Sequence, residues 1–165
     1  MAVASTYSTE VTNHKSVENT KNPTTATEGA SFSSSATAAV AAADDDGSKY
    51  FMLPVHSGWS IKHIWFFNDA MSGGTDYSVG LYTTASTPVA VVSAAYTATI
   101  SVSAARTTAP IDAAFGTRNI TAVNQKVWED AGATADSNRW YYLTLLANTV
   151  GDVAGDVTVV CEYSV

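Results

Sequence analysis

Large apolar side chains are distributed so unevenly along this chain that they decide where a core can form. Fifteen of the seventeen aromatic residues lie from Tyr50 onward, and only Tyr7 and Phe32 precede them. The first 43 residues instead carry 15 Ser or Thr and 10 Ala. A segment this poor in large side chains cannot offset an ordering entropy of ~1 to 2 kcal/mol per residue. Residues 1–29 are therefore expected to form a flexible arm that orders only against something else, and residues 30–165 a single folded domain. The whole 165-residue chain is long enough for a real core, since surface scaling has a chain of this mass burying about 69% of its unfolded surface.

Within the body the dominant period is two. Ala30 to Ala43 alternates Phe32, Ser34, Ala36, Ala38 and Val40 with Ser33, Ser35, Thr37 and Ala39, which predicts a first strand with a weakly apolar inner face. Asp44-Asp45-Asp46-Gly47 supplies turn chemistry after it. Tyr50 to Val55 is a short apolar run. In the next, Ile61, His63, Trp65 and Phe67 alternate with Lys62, Ile64, Phe66 and Asn68. Both of its faces are largely apolar, so it reads as a central strand covered by the core on one side and by a neighbour or subunit partner on the other. Tyr77, Val79 and Leu81 face one way in the following strand, and Ser78, Gly80 and Tyr82 the other. Pro88 to Val92 and Tyr96 to Val102 are weaker candidates, whereas Trp140 to Leu146 and Val157 to Tyr163 are clear ones.

One helix is expected from about Ala122 to Ala131, with Thr121 as its cap, an apolar stripe of Val123, Val127 and Trp128, and Gly132 at a left-handed C-terminal position. About eight strands and one short helix predict an all-β, antiparallel β-sandwich, jelly-roll-like, with an extended N-terminal arm.

Charge limits the partners. The 8 Lys and Arg against 15 Asp and Glu leave a net charge of −7, the wrong sign for gripping phosphate backbones or anionic lipid, so neither nucleic acid nor membrane is an expected partner. Met1 to Glu10 has no basic start and no apolar run, so it does not read as a secretory signal, and Ala36 to Ala43 is too short to span a bilayer, which needs about 20 apolar residues. A protein made and used in a cytoplasm, or one released by lysis, is expected.

Catalytic and metal-binding patterns are not legible. His14, His56 and His63 form no zinc-ligand pair, and His63, among Ile61, Trp65 and Phe67, reads as a hydrogen-bonded core or interface residue. The Asp44–Asp46 run lacks the glutamate that closes a calcium loop, since the twelfth position is Val55. Asp69 with Asp76, and Glu129 with Asp130, are the carboxylate pairs that acid–base chemistry would need, but turn and surface roles account for all four. Cys161, the sole cysteine, alternates with Val157, Val159, Tyr163 and Val165 and reads as a buried thiol. No catalytic residue, cofactor or metal is expected.

The aromatic residues remain. Trp59, Trp65, Trp140, Tyr141 and Tyr142 suit either a sugar-stacking platform or core and subunit packing. Consecutive rings at Trp140-Tyr141-Tyr142 must point to opposite faces of a strand, so at least one leaves the core and an interface is expected there.

Thr75-Asp76-Tyr77-Ser78-Val79-Gly80-Leu81-Tyr82, Val127-Trp128-Glu129-Asp130-Ala131-Gly132 and Ala154-Gly155-Asp156-Val157-Thr158-Val159, with the preceding Ala42-to-Ser48 turn, form a set. Over about residues 30 to 165 the chain resembles small structural proteins of tailed bacteriophages that decorate or cement the head. The resemblance implies a β-sandwich body, a polar N-terminal arm and no enzymatic activity. It also implies a homotrimer on the outside of a capsid, with the major capsid protein as partner. Tyr7, Val11 and Val17, the largest side chains of the early arm, would be anchors, and Trp59, Trp140 and Tyr142 would complete the partner-binding set. The alternatives are a tail- or collar-associated structural protein and a carbohydrate- or receptor-binding module.

Overall fold

The computed structural model describes residues 31–71, 74–149 and 153–165. The expected arm, with Tyr7, Val11, His14 and Val17, lies outside them. Eight strands follow one another: β1 (Phe32–Val40), β2 (Lys49–His56), β3 (Ser60–Asn68), β4 (Asp76–Thr83), β5 (Ala90–Ser101), β6 (Arg106–Asp112), β7 (Trp140–Thr149) and β8 (Gly155–Ser164). Their antiparallel pairing is first with last, second with seventh, third with sixth and fourth with fifth. Two further pairings, β3 with β8 and β4 with β7, close the sheets as β1-β8-β3-β6 and β2-β7-β4-β5. A long hairpin rolled up so that its pairs fall alternately into two sheets is the jelly roll, and the protein is an all-β sandwich of that order.

The core lies between the sheets. Ile64, Phe66, Val157, Val159 and Cys161 come from one, and Val55, Tyr77, Val79, Leu81, Leu143 and Leu145 from the other. Two bulges adjust what alternation alone would place. One between Ile61 and His63 sends both Ile61 and Ile64 inward and leaves His63 and Trp65 on the outer side, so His63 does not share a face with Ile61. Another between Phe51 and Leu53 buries the consecutive Met52 and Leu53.

The expected division of strands differs in one region. Pro88 to Val92 and Tyr96 to Val102 belong to a single strand, β5, whose register against β4 slips repeatedly. The eighth strand is β6, a Pro-containing segment that forms a sheet edge, where a missing backbone donor is tolerated.

The expected ten-residue helix is also broken in two. Asn119, not Thr121, caps a 3-10 turn at Ile120–Ala122, and only Val127–Asp130 (α1) is α-helical. Between them the backbone has other partners: Val123 O accepts from Lys62 Nζ at 3.1 Å and Asn124 O from Ser60 Oγ at 3.3 Å. The first amides of α1 donate to the β2–β3 loop, Val127 N to Trp59 O and Trp128 N to Ser57 O. Gly132 is left-handed, φ 73°, as expected of the C-terminal position.

Candidate interaction surfaces

Three strand ends and one loop bring a ladder of rings together. Phe32 opens β1, Tyr163 closes β8, Trp59 ends the β2–β3 loop and Trp140 opens β7. Tyr163 stacks on Phe32 at 5.8 Å between centroids and on Trp59 at 4.0 Å, the latter pair tilted by only 7°. Trp59 meets Trp140 edge-on at 5.3 Å, and Trp140 meets His56 edge-on at 5.1 Å. Offset stacks and edge contacts are each favourable by about 0.5 to 1.5 kcal/mol beyond area burial. The two ends of the ladder remain 45% exposed at Phe32 and 47% at Trp140. Trp59 and Trp140 of the predicted partner set are therefore brought together. Tyr142 is not among them: it points from β7 toward Phe51, 5.7 Å away, on the outer face of the other sheet. Tyr141 turns into the core between its two outward neighbours, as consecutive rings on a strand must.

The outer face of the β1-β8-β3-β6 sheet carries a second aromatic row. His63 stacks on Trp65 at 5.2 Å, His63 Nδ1 lies 2.7 Å from Asp112 Oδ2, and Trp65 Nε1 donates to Glu162 at 3.1 Å. Further along the face an open groove of about 420 Å³ is lined by Ser35, Phe67, Thr158 and Val160, with Asp69, Thr107 and Asp156 at its side.

Of the four candidate carboxylates, Asp69, Glu129 and Asp130 are held by structural partners, whereas Asp76 Oδ1 is buried with no hydrogen-bond partner among the described residues. Asp69 accepts from Asp156 N at 3.0 Å and ties the end of β3 to β8. Glu129 accepts from Lys126 N at 2.7 Å and closes the start of α1. Asp44 accepts from Ala41 N and from the Tyr50 hydroxyl, and those two bonds hold its carboxyl below the usual range. Asp130 departs from the surface role expected of it. Its side chain is sealed against Arg118 and accepts from the Tyr96 hydroxyl at 3.2 Å. Sequence reasoning missed that pair, although Asp130 recurs at helical spacing with the buried Val127 and so sits on the inward stripe. Among the described residues no group of three His, Cys, Asp or Glu converges as a metal would require. Burial pushes the Cys161 thiol up to about 12, leaving it protonated at neutral pH.

No family model matches this chain, and no curated protein does. Among solved structures it is similar to the "Cyanophage Pam1 capsid asymmetric unit", with a TM-score of 0.55 and 13% identity over 83% of this chain and 86% of that one. At that identity the likeness is one of fold.

Proposed function

We propose that this chain is a non-enzymatic structural protein of a phage virion, binding the outside of the capsid through the major capsid protein and stabilising the shell. The observation that carries this reading is the shared fold, since the likeness to the cyanophage capsid structure extends over 83% of this chain and 86% of that one. Supporting it is the aromatic ladder, whose Phe32 and Trp140 rings are left half open. The net charge of −7 favours an outer surface over one lining a DNA-filled cavity. In this reading the protein is a homotrimer made in the host cytoplasm and placed on the capsid exterior. Residues 1–29 are its arm, with Tyr7, Val11 and Val17 as anchors, and Trp59, Trp140 and Tyr142 are contacts of the body. Avidity from several linked copies raises a weak single-site affinity by ~10² to 10⁴.

The test is co-sedimentation of the purified protein with capsids that lack it. Stoichiometric, saturable binding that raises the temperature of capsid disruption is the expected result. Absence of binding, together with binding of oligosaccharides that is lost in Trp140→Ala, would instead identify a carbohydrate-binding module. One observation favours that second reading, the exposed Trp140 ring beside His56.

A further inference from the structure

Four strands form the edges of the two sheets: β1 and β6 in one, β2 and β5 in the other. An edge exposes a row of unpaired backbone donors and acceptors, and natural proteins blunt it with charge, proline, bulges or irregular register. Three of the four edges here are blunted in that way. β6 carries Arg106, Pro110 and Asp112 and pairs irregularly with β3. β2 carries Lys49 and Pro54 and is bulged at Met52. β5 slips register three times against β4.

β1 has none of these devices. Its nine residues, Phe32 to Val40, include no charge, no proline and no glycine, and its register with β8 runs unbroken from Phe32↔Tyr163 to Val40↔Gly155. It is also longer than the usual strand of about 5 to 6 residues. Among the described residues nothing pairs with its other side. An edge left open while its three counterparts are protected has the form of a template for an added strand.

The chain outside the described residues offers a matching strand. Ser5-Thr6-Tyr7-Ser8-Thr9-Glu10-Val11-Thr12 is rich in β-branched and aromatic residues and has one charge. It alternates Tyr7, Thr9 and Val11 with Thr6, Ser8, Glu10 and Thr12. Its hydroxyl groups suit the exposed row Ser33, Ser35 and Thr37 on β1, where Thr37 Oγ1 already meets Thr158 Oγ1 at 2.8 Å across the strand pair. Nineteen residues separate Thr12 from Phe32. A hairpin onto the same edge needs only about 2 to 5. Nineteen extended residues span about 65 Å, whereas a domain of this size has a radius of gyration of about 14 Å.

We infer that the free edge of β1 receives residues Ser5–Thr12 of a neighbouring copy of this chain as an added strand. The contact is heterologous, the arm of one copy on the edge of the next, and repeating it around a three-fold axis gives the ring that a homotrimer needs. The inference deepens the arm-bearing homotrimer reading above, and its test uses no capsid, so failure of capsid binding would leave it standing.

The experiment is hydrogen exchange read by mass spectrometry on the full-length protein, with a ¹⁵N label to tell copies apart. In wild type the β1 amides that do not donate to β8 are expected to exchange at least tenfold slower than in the variant Thr9→Pro/Val11→Pro. Both prolines lie in the arm, and peptides from β3 and β8 report that the body is intact. Labelled variant is then mixed with unlabelled wild type. Recovery of protection over β1 of the labelled copy is the expected outcome, because its own arm cannot pair while a neighbour's can. No protection in wild type would overturn the added strand. Protection that the prolines remove and mixing fails to restore would assign the edge to the copy's own arm and overturn the exchange between copies.

Discussion

Arg118 Nε lies 3.1 Å from Asp130 Oδ1, with the two side chains 4% and 1% exposed. The N–H is not aimed at the carboxylate, so the pair is held by charge rather than by an aligned hydrogen bond. The guanidinium is secured separately: Nη1 donates to Ile61 O at 3.2 Å, Nη2 to Ala122 O at 2.6 Å, and the rings of Tyr96 and Phe115 stand 5.2 and 5.3 Å away. One buried pair thus ties the β6–β7 connection, α1 and β5 to the third strand.

Removing one partner leaves the other charge buried alone. Asp130→Ala is expected to lower unfolding stability by about 3 to 5 kcal/mol, whereas Arg118→Met with Asp130→Leu costs far less than the two single changes added together. Urea denaturation of the four proteins in the cycle measures this, and additive losses would remove the pair from the account.

Burial pushes the Asp130 carboxyl up to about 6, while Arg118 and the Tyr96 hydroxyl act the other way and Glu129 adds to the rise. A raised carboxyl binds its proton more tightly in the folded state. Its contribution to stability is therefore full below the ordinary value of 3.8 and is lost as pH rises through about 6. Denaturation midpoints of wild type and Asp130→Asn, compared from pH 4 to 7, should diverge in slope, with wild type falling more steeply. Parallel profiles would contradict this.

The alkaline side has its own set. Burial pushes Tyr77 and Cys161 each up to about 12 and raises Tyr50 and Tyr96 as well. The stability these groups contribute is present below about pH 9 and lost as pH climbs toward 12. Ionisation of the tyrosines, followed by absorbance, should coincide with loss of near-ultraviolet circular dichroism. Free titration at the ordinary value of 10 in a still-folded protein would refute it.

A methyl group at Gly80 would lie 2.4 Å from the Ser93 carbonyl carbon and oxygen and 2.4 Å from Val92 O. Backbone cannot swing aside as a side chain can. Gly80→Ala is expected to destabilise by about 1 to 3 kcal/mol as β5 is forced off β4. Thermal unfolding measures it, and an unchanged midpoint would mean that this crossing is looser than described.

Trp140 makes its ring contacts from a half-exposed position. Trp140→Ala should therefore cost under about 1.5 kcal/mol in stability, well short of the 3 to 5 of a core tryptophan, yet reduce co-sedimentation with capsids at least tenfold. Undiminished capsid binding would remove the ladder from the contact surface.

Much of the fold was legible because period-two alternation is a local property. β1, β3, β4, β7 and β8 follow from side chains that must face alternately in and out, and the inward Tyr141 between outward Trp140 and Tyr142 follows from the same geometry. The buried thiol and the left-handed Gly132 were legible for equally local reasons. β6 was not, because its pattern is weak and only its place beside β3 makes it a strand. The helix over 122–131 was overread, since the β2–β3 loop captures the first amides of α1 and the Lys62 and Ser60 side chains bind the carbonyls before it.

By itself, then, the amino-acid sequence determined a chain that must form strands, must draw nearly all of its core from beyond residue 44, and must leave some aromatic rings outside it. Only the tertiary structure decided which rings meet. The ladder from Phe32 to Trp140 draws on residues more than a hundred positions apart, joined because β1 pairs with β8 and β2 with β7. The same holds for Arg118 and Asp130, whose burial depends on how the β6–β7 connection packs against β5. Alternation reports which face a side chain takes, but it carries no information about the neighbour awaiting it, and that neighbour is set by the order in which the sheets close.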